Sequence, residues 1–369
     1  MPGFYIGLMS GTSLDGVDGV LADFSAATPR VIGHASAPLP AALGAQLLQL
    51  NAPGSDDLHR AALAGNALMR VYAGVVEELL RCAGMPATAV RAIGAHGQTV
   101  RHRPQEFDGT GYTLQLCQPA LLAELTGIDV AADFRSRDVA AGGQGAPLAP
   151  FFHQAVFGRR GETVGVLNIG GISNLTLLRP DDAMLGFDCG PGNALMDAWC
   201  VRHTGRAYDA QGAWAAAGRV LPPLLDVLLA ESYFHKPPPK STGRDLFNPA
   251  WLDGHLRAFG GAAAADVQAT LAELTARACS ADVARHQPGL RQLVVCGGGV
   301  LNAHLMGRLR ALLPGVQVAS SADWGLPPLQ VEAAAFAWLA RKTVRREKLA
   351  LQSVTGARGA RVLGCVYPA

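Results

Sequence analysis

Charged residues are scarce in this sequence. Only 16% of its 369 residues are Asp, Glu, Lys or Arg, whereas an average soluble protein carries about 25%. Because 49% of the residues are hydrophobic, a chain of this length can bury a large core, which excludes disorder. The 31 basic and 29 acidic residues leave a net charge of +2, so no general field attracts nucleic acid or an anionic membrane. We expect neither as a partner.

Three further absences narrow the class of protein. No run reaches about 18 apolar residues, so no transmembrane helix is predicted. The first residues lack a basic segment followed by an apolar run, so we expect no secretory signal. The seven cysteines form no C-x-x-C pair and no zinc pattern. We interpret them as reduced thiols, mostly in the core, and expect a cytoplasmic protein.

Glycine, by contrast, is abundant, at 44 residues against a usual share of about 7%. It concentrates in turns between apolar strands. A strand over Phe4–Met9 and a second over 17–24 flank one glycine-rich turn. Strands over Val164–Ile169 and 175–178 flank another. This repeated hairpin predicts two related lobes.

The segments between the hairpins predict an α/β fold. Apolar residues at helical spacing predict helices over 58–82, around 267–281 and over 331–345. Residues 293–295 predict a buried strand. Strands that alternate with helices favour mixed or parallel sheets. The Pro- and Lys-rich segment 234–249 is predicted to be an exposed loop.

The first chemical motif is the turn Gly11–Asp18. Glycine lets the backbone approach a ligand closely, and successive amides with Thr12 and Ser13 can cradle an anion. Asp15 and Asp18 can hold hydrated Mg²⁺. The turn lacks the P-loop pattern, and an ordinary capped hairpin turn is the alternative.

Two other glycine-rich motifs point to chemistry. In Gly186–Asn193, Asp188 stands among three glycines and a proline. We interpret this motif as a rigid, open loop that presents a general base, with a solvent turn capped by Asp188 as the alternative. In Cys296–Gly299, followed by Asn302, a strand enters glycines and then a helix, which is typical of a nucleotide approach.

Three polar motifs leave alternatives open. His96 and Gln98 flank a glycine after a strand, which suits sugar contacts, although a lone histidine is more often structural. Arg135 either clamps a carboxylate or phosphate or belongs to a surface ion-pair network. The loop 239–244 fits a phosphate contact, a mobile lid or a solvated loop.

The order of these motifs resembles the anhydro-N-acetylmuramic acid kinase family of the sugar kinase/heat-shock/actin-like superfamily. One departure is Cys117-Gln118, where the family usually shows Gly-Asn or Gly-Asp. The motifs that carry the resemblance are Ile6–Asp18, Gly94–Thr99, Pro119–Gly127, Ala132–Arg135, Asp138–Pro147, Leu167–Asn174, Gly186–Asn193, Lys240–Arg244, Gln268–Leu271, Cys296–Gly299 and Glu332–Trp338.

The resemblance implies a two-lobed actin-like ATPase (ribonuclease H-like) α/β fold with an interlobe cleft. We expect residues 1–132 with 340–369 to form lobe I and residues 133–339 to form lobe II. The family converts 1,6-anhydro-N-acetylmuramic acid, ATP and water into N-acetylmuramic acid 6-phosphate and ADP, in peptidoglycan recycling. The resemblance also implies a homodimer, an amino-sugar substrate, and ATP with Mg²⁺.

The resemblance also implies roles for single residues. Asp188 matches the catalytic base. The positions expected to bind ATP are Gly11, Thr12, Ser13, Leu14, Asp15, Gly16, Val17, Asp18, Gly170, Gly171, Gly297, Gly298 and Asn302. The positions expected near the sugar are His96, Gln98, Arg135 and Glu332. The metal ligands stay unassigned.

Two other functions share much of this pattern. One is a kinase of the same superfamily that phosphorylates an ordinary hexose hydroxyl. The other is an ATP-gated binding module without enzymatic activity, against which stands the absence of room for an appended peptide-binding domain. Consumption of ATP only in the presence of the sugar separates an enzyme from such a module.

Overall fold

The structure is a computed structural model that describes residues 3–11, 14, 16–26, 29–181, 183–238, 240–243 and 246–369. Its contacts divide the chain into two compact units. The first unit comprises Met1–Val156 and Gln330–Ala369, and the second comprises Phe157–Leu329. From the sequence, lobe boundaries are predicted after residues 132 and 339.

Strands and helices alternate along much of the chain. The strands are β1 (Phe4–Met9), β2 (Gly16–Asp23), β3 (Arg30–Pro38), β4 (Ala92–Ala95), β5 (Gln98–Pro104), β6 (Gly111–Leu116), β7 (Val130–Ala132), β8 (Val164–Ile169), β9 (Ile172–Leu178), β10 (Met184–Pro191), β11 (Gln292–Cys296), β12 (Gln317–Ser320) and β13 (Cys365–Tyr367). The α-helices are α1 (Ala41–Gln49), α2 (Asp57–Ala83), α3 (Pro119–Thr126), α4 (Ser136–Ala140), α5 (Ala149–Phe157), α6 (Ala194–Thr204), α7 (Ala213–Ala217), α8 (Pro222–Leu229), α9 (Pro249–Leu256), α10 (Ala264–His286), α11 (Ala303–Leu312), α12 (Val331–Val344) and α13 (Gln352–Thr355).

The two units repeat one strand order. In the first unit the sheet runs β3-β2-β1-β4-β7-β13, and in the second it runs β10-β9-β8-β11-β12. In each sheet, the first three strands of the unit form an antiparallel meander. Two later strands then extend the sheet from the first strand of the meander, and both run parallel to it. This repeated order is that of the actin-like, ribonuclease H-like fold, and it confirms the predicted pair of hairpins.

The central strands match their predicted bounds. Strands β1 and β8 each have a parallel neighbour, and every residue of β8 is buried. Strands covered on both faces are nearly continuous apolar runs in the sequence. The predicted bounds of both strands, Phe4–Met9 and Val164–Ile169, therefore agree with the structure.

Helix α12 belongs to the first unit because it packs directly on that unit's sheet. A Cβ atom at Gly7 would overlap the carbonyl oxygen of Ala333, and one at Gly94 would overlap that of Phe336. Helix α5 meets the same helix, since the rings of Phe152 and Trp338 lie 6.3 Å apart. These contacts explain why the first unit extends beyond residue 132 and resumes before residue 340.

The cysteines are free, and four of the seven are buried: Cys189, Cys200, Cys279 and Cys296. None of the helices in the described part of the chain combines the length and the apolar character that crossing a membrane requires.

The glycine contact under α12 gives a stability prediction. Gly94→Ala should lower the free energy of unfolding by about 1–3 kcal/mol, because the new methyl group must displace backbone. Gly74→Ala is the matched control. Gly74 lies exposed on α2, and no described atom lies within 4 Å of its added Cβ. That variant should gain about 0.5–1 kcal/mol from its better helix propensity. Urea unfolding measures both, and equal stability of the two variants would contradict the close packing.

Candidate active site

Asp188 lies on strand β10, not in the open loop expected from its glycines. The pairing of β10 with β9 shifts register between Asp188 and Gly190, so Cys189 forms a bulge. A bulge bends its strand and changes the direction in which neighbouring side chains point. The glycines and the proline around Asp188 thus mark an irregular strand end.

Three hydrogen bonds hold Asp188 in place. The backbone N–H of Thr242 donates to its Oδ2 at 3.0 Å. Its own N–H donates to the carbonyl oxygen of Lys240 at 3.2 Å. The hydroxyl of Tyr233 donates to its carbonyl oxygen at 2.8 Å. Both the backbone and the carboxylate of Asp188 are therefore fixed.

The surroundings of Asp188 tune its acidity. Burial raises the pKa of this carboxyl to about 6, while the Thr242 amide and the charge of Lys240 lower it. A general base works best when its pKa lies near the operating pH. Asp188 is therefore ionised at neutral pH and basic enough to accept a proton from a water molecule.

The segment that holds Asp188 was predicted to be an exposed loop, and this prediction is wrong for its centre. Lys240 and Phe247 are buried. The Lys240 ammonium pairs with Asp282 at 3.0 Å. Lys240 therefore fits neither a phosphate contact nor a solvated loop, because its charge is buried and paired with Asp282. Pro239 and Arg244 lie outside the described residues.

Glycines from three segments meet at one end of the second sheet. The carbonyl oxygen of Gly170 accepts from Asn193 N–H at 2.8 Å, and that of Gly171 accepts from the N–H of residue 192 at 2.9 Å. Gly297 has a φ of 80°, and a Cβ there would overlap Asn168. A Cβ at Gly298 would lie 3.5 Å from the Asn193 amide nitrogen.

The position of this glycine cluster suits a nucleotide. It lies at the carboxyl ends of the parallel strands β8 and β11, the usual ligand edge of an α/β sheet. Asn302 follows the cluster as the N-cap of α11, where its Oδ1 accepts from Leu305 N–H at 2.9 Å. That oxygen therefore has a structural role in addition to any contact with a nucleoside.

The first hairpin is described only in part, because Thr12, Ser13 and Asp15 lie outside the described residues. Leu14 adopts a left-handed conformation, with a φ of 58°. Its N–H donates to the Gly11 carbonyl oxygen at 3.3 Å. This hydrogen bond lies between the ends of β1 and β2.

Beyond the turn, β2 begins at Gly16. Val17 is buried, so only its backbone can face a ligand. Asp18 keeps half of its side chain exposed, with its Oδ1 3.5 Å from His34 Nε2. No group of three or more His, Cys, Asp or Glu side chains suited to a metal ion occurs among the described residues.

The structure brings the four predicted sugar positions together in the first unit. Gln98 Nε2 donates to the Gly11 carbonyl oxygen at 3.1 Å, which ties this cluster to the first hairpin. Arg135 Nη2 lies 3.0 Å from His96 Nε2. The charges of Arg135 and Glu332 interact. Glu332 keeps part of its surface exposed, but desolvation by the surrounding protein raises the pKa of its carboxyl. The charge of Arg135 opposes this rise, and that of Asp18 adds to it.

Arg135 does not belong to a surface ion-pair network, and its role as a clamp for an anion stays a prediction. Its Nη1 donates to the Gly145 carbonyl oxygen at 2.8 Å. Asp138, which the alternative needs at the surface, is buried and accepts from Gly145 N–H and the Thr355 hydroxyl, both at 2.6 Å. Burial lowers the pKa of Arg135 to about 10, so it stays charged at neutral pH.

Three buried polar atoms in this cluster have no hydrogen-bond partner within the described parts of the chain: His96 Nδ1, Gln98 Oε1 and Arg135 Nε. Burial, with help from Arg135, lowers the pKa of His96 to about 3, so its ring is neutral. Since arginine only donates, Nε2 accepts and Nδ1 carries the proton in the assigned tautomer. The cluster therefore offers two donors and one acceptor to a polar ligand.

Cys117, where the sequence departs from the usual family pattern, lies beside this cluster. A Cβ at Gly97, whose φ is 74°, would lie 2.6 Å from the Leu116 carbonyl oxygen and 3.0 Å from Cys117 Cβ. Burial raises the pKa of Cys117 to about 12, so it is an inert thiol. Gln118 then precedes helix α3, which starts with Pro119. The Cys117 side chain therefore packs against Gly97.

Comparison with known families agrees with this geometry. The family model described as anhydro-N-acetylmuramic acid kinase matches residues 3–369. The chain belongs to the anhydro-N-acetylmuramic acid kinase family.

Curated relatives of the same name are similar over their full lengths. The protein from Variovorax paradoxus (strain S110) is 67% identical over 99% of this chain and 99% of its own. The protein from Cupriavidus metallidurans is 58% identical over 99% of this chain and 97% of its own.

Solved structures are similar only at a low level. The activator of the 2-hydroxyisocaproyl-CoA dehydratase from Clostridium difficile, with bound ADPNP, is 12% identical. It has a TM-score of 0.48 over 93% of this chain and 97% of its own. A ROK family glucokinase from Streptomyces griseus is 16% identical, with a TM-score of 0.40 over 92% and 100%. The fold assignment rests on the strand order and not on these scores.

The pKa of Asp188 makes a prediction for stability. The native state holds a proton on Asp188 up to about pH 6, whereas the unfolded chain releases it near pH 3.9. Stability therefore falls as the pH rises through this window. Asp188→Asn can still accept the Thr242 hydrogen bond and carries no charge. It should raise the melting temperature at pH 7, with the gain lost below about pH 4.

Thermal unfolding at pH 4 and pH 7 measures this effect. Asp226→Asn, at an exposed site on α8 in the same unit, controls for the loss of one carboxylate. A gain at pH 7 no larger than that of the control would contradict the buried setting of Asp188.

Proposed function

We propose that this protein opens 1,6-anhydro-N-acetylmuramic acid hydrolytically and phosphorylates its O6 with ATP. The products are N-acetylmuramic acid 6-phosphate and ADP, formed in the cytoplasm during peptidoglycan recycling. Membership of the kinase family over residues 3–369 supports the reaction class. The observation that carries the mechanism is the held carboxylate of Asp188, with its pKa near 6.

The substrate needs such a base. O6 is part of the 1,6-anhydro bridge and cannot accept a phosphoryl group until the C1–O6 bond breaks. We propose that a water molecule attacks C1 while Asp188 takes its proton. The electron pair of the C1–O6 bond passes to O6, which attacks the γ-phosphorus as ADP leaves. Because phosphorus takes up the charge on O6, no separate acid is needed.

The ATP phosphates fit the two glycine hairpins. Phosphoryl transfer depends mainly on positioning and charge neutralisation. We propose that the turn Gly11–Asp18 and the turn Gly170–Gly171 hold the phosphates, while Gly297, Gly298 and Asn302 meet the nucleoside. At Gly170 and Gly298 an added Cβ would meet no described atom closer than 3.5 Å, and this free space supports the assignment.

A magnesium ion fits the donors of the first hairpin. Mg²⁺ commonly uses one or two carboxylates, with substrate phosphates and water completing its shell. Asp18 is half-exposed and supplies one carboxylate. When bound, the ion neutralises charge on the phosphates. We propose Asp18 as its protein ligand, with Asp15 as a second candidate outside the described residues.

The polar cluster of the first unit fits the amino sugar. Its buried donors on His96 and Arg135 suit a carboxylate, carbonyl or hydroxyl oxygen, and the acceptor of Gln98 suits a hydroxyl or an amide. Glu332 adds an exposed carboxylate beside Arg135. We propose these four residues as the sugar contacts. We further propose a homodimer, which the resemblance to the family implies. The near-zero net charge supports a small-molecule partner instead of nucleic acid or membrane.

A substrate panel tests the reaction. ADP release, measured by a coupled assay, should depend on the 1,6-anhydro sugar and should be weak with glucose, N-acetylglucosamine or ring-opened N-acetylmuramic acid. A preference for an ordinary hexose would replace this function with that of a general sugar kinase. ATP consumption that no sugar changes would point to a binding module.

Asp188→Asn tests the assignment of the base. Loss of a positioned general base typically slows a reaction about 10²- to 10⁴-fold. ADP and the phosphorylated sugar should fall together by this factor, while calorimetry still detects binding of both substrates. Asp226→Asn should retain wild-type turnover. Near-normal turnover of Asp188→Asn would assign the base to another residue.

A further inference from the structure

Lys240 and Asp282 form a buried ion pair that the proposed chemistry does not use. The Lys240 ammonium lies 3.0 Å and 3.2 Å from the two carboxylate oxygens. The two side chains are only 1% and 3% exposed. Desolvation cancels much of the attraction in such pairs, and apolar replacements are often equally stable. Stability alone is therefore a poor explanation for this pair.

The pair is connected to Asp188 through the chain segment 240–242. The carbonyl oxygen of Lys240 accepts the Asp188 N–H, and two residues later the Thr242 N–H donates to the Asp188 carboxylate. The Lys240 side chain extends from this segment to Asp282 on α10. The segment is thus bonded to Asp188 on one side and to the long helix on the other.

Aromatic rings enclose the lysine along this path. Its ammonium lies 5.4 Å from the ring centroid of Phe187 and 5.2 Å from that of Tyr233, within the range of cation–π attraction. Phe187 precedes Asp188, and the Tyr233 hydroxyl donates to the Asp188 carbonyl oxygen. The groups that surround Lys240 are therefore those that hold the backbone of Asp188.

We infer that Lys240, anchored by Asp282, is a positioning residue that holds segment 240–242 against Asp188 and so fixes the orientation of the catalytic carboxylate. The inference rests on the proposed function, because it assigns Asp188 as the base. It extends that function with two residues that touch neither substrate.

The electrostatics agree with this geometry. The Lys240 charge and the Thr242 amide both lower the pKa of Asp188, so losing the anchor removes both effects in the same direction. The pKa of Asp188 must then rise. The other titratable groups around the pair are Cys189 on β10, Tyr233 in the turn Ser232–His235, and Cys279, Arg285 and His286 on α10.

The test replaces the pair by neutral groups of similar size. The double variant Lys240→Met/Asp282→Asn leaves no buried charge of the pair uncompensated. Lys236→Met is the matched control, since Lys236 also lies over the Tyr233 ring, at 5.8 Å, but is exposed. If the double variant does not melt cooperatively, Lys240→Gln/Asp282→Asn can place an amide pair there. Because the Lys240 charge is still lost, both midpoints should rise in that variant too.

Two readouts are taken on each full-length variant. Carbon-13 NMR of labelled aspartate follows the titration of Asp188, whose signal is the one absent from Asp188→Asn. The pH profile of kcat/KM follows the anhydro-sugar reaction. In the double variant both midpoints should rise by about 0.5 pH unit or more. The kcat at pH 7 should fall about tenfold or more, with the KM for ATP near its wild-type value.

The outcomes separate this inference from the proposed function. Unchanged midpoints in a folded double variant, or an equal rise in Lys236→Met, would overturn the positioning role. A wild-type protein that does not phosphorylate the anhydro sugar would overturn the proposed function. In that case the NMR titration still decides whether Lys240 controls Asp188.

Discussion

The half-buried carboxylate of Asp188 is the constraint on which the proposed chemistry depends. Burial makes the charged form unfavourable and raises the pKa to about 6, while the Thr242 amide and Lys240 limit that rise. A fully solvated aspartate is too weak a base, and a more deeply buried one would stay protonated at neutral pH. The bulge at Cys189 and the segment 240–242 serve this balance, since they fix the carboxylate at the edge of the core.

The first unit meets a different constraint. Three polar atoms, on His96, Gln98 and Arg135, are buried without hydrogen-bond partners in the described parts of the chain. Each such group costs about 1–3 kcal/mol while unsatisfied. A polar ligand that supplies the missing partners recovers this free energy on binding. The unpartnered atoms of the cluster therefore agree with the polar ligand that we propose for it.

The strands and their hairpins could be predicted from the sequence, because buried strands such as Val164–Ile169 are apolar runs that end at glycine. Asp188 could also be singled out, since glycine and proline around a carboxylate are unusual. Its place on a bulged strand could not be predicted, because a bulged strand end and an open loop contain the same residue types. The interpretation of Asn302 was incomplete in a similar way, since its position just before a helix is also that of an N-cap.

The burial of Lys240 and its ion pair could not be predicted from the sequence, for a physical reason. Its partner Asp282 lies 42 positions away on α10, and no local sequence pattern predicts a contact between residues so far apart in the chain. A lysine among prolines is usually solvated, so composition favoured an exposed loop. The one available signal was the position of Lys240 in a motif shared with the kinase family, which indicates importance without indicating burial.

The fate of the water oxygen tests the coupled mechanism most directly. Turnover of the anhydro sugar and ATP in ¹⁸O-labelled water, with mass spectrometry of the product, locates the label. If Asp188 directs water to C1 while O6 attacks the γ-phosphorus, the wild-type product carries ¹⁸O at the C1 hydroxyl and none in the phosphate. Label in the phosphate, or an unlabelled C1 hydroxyl in sugar analysed before anomeric exchange, would contradict the coupled mechanism.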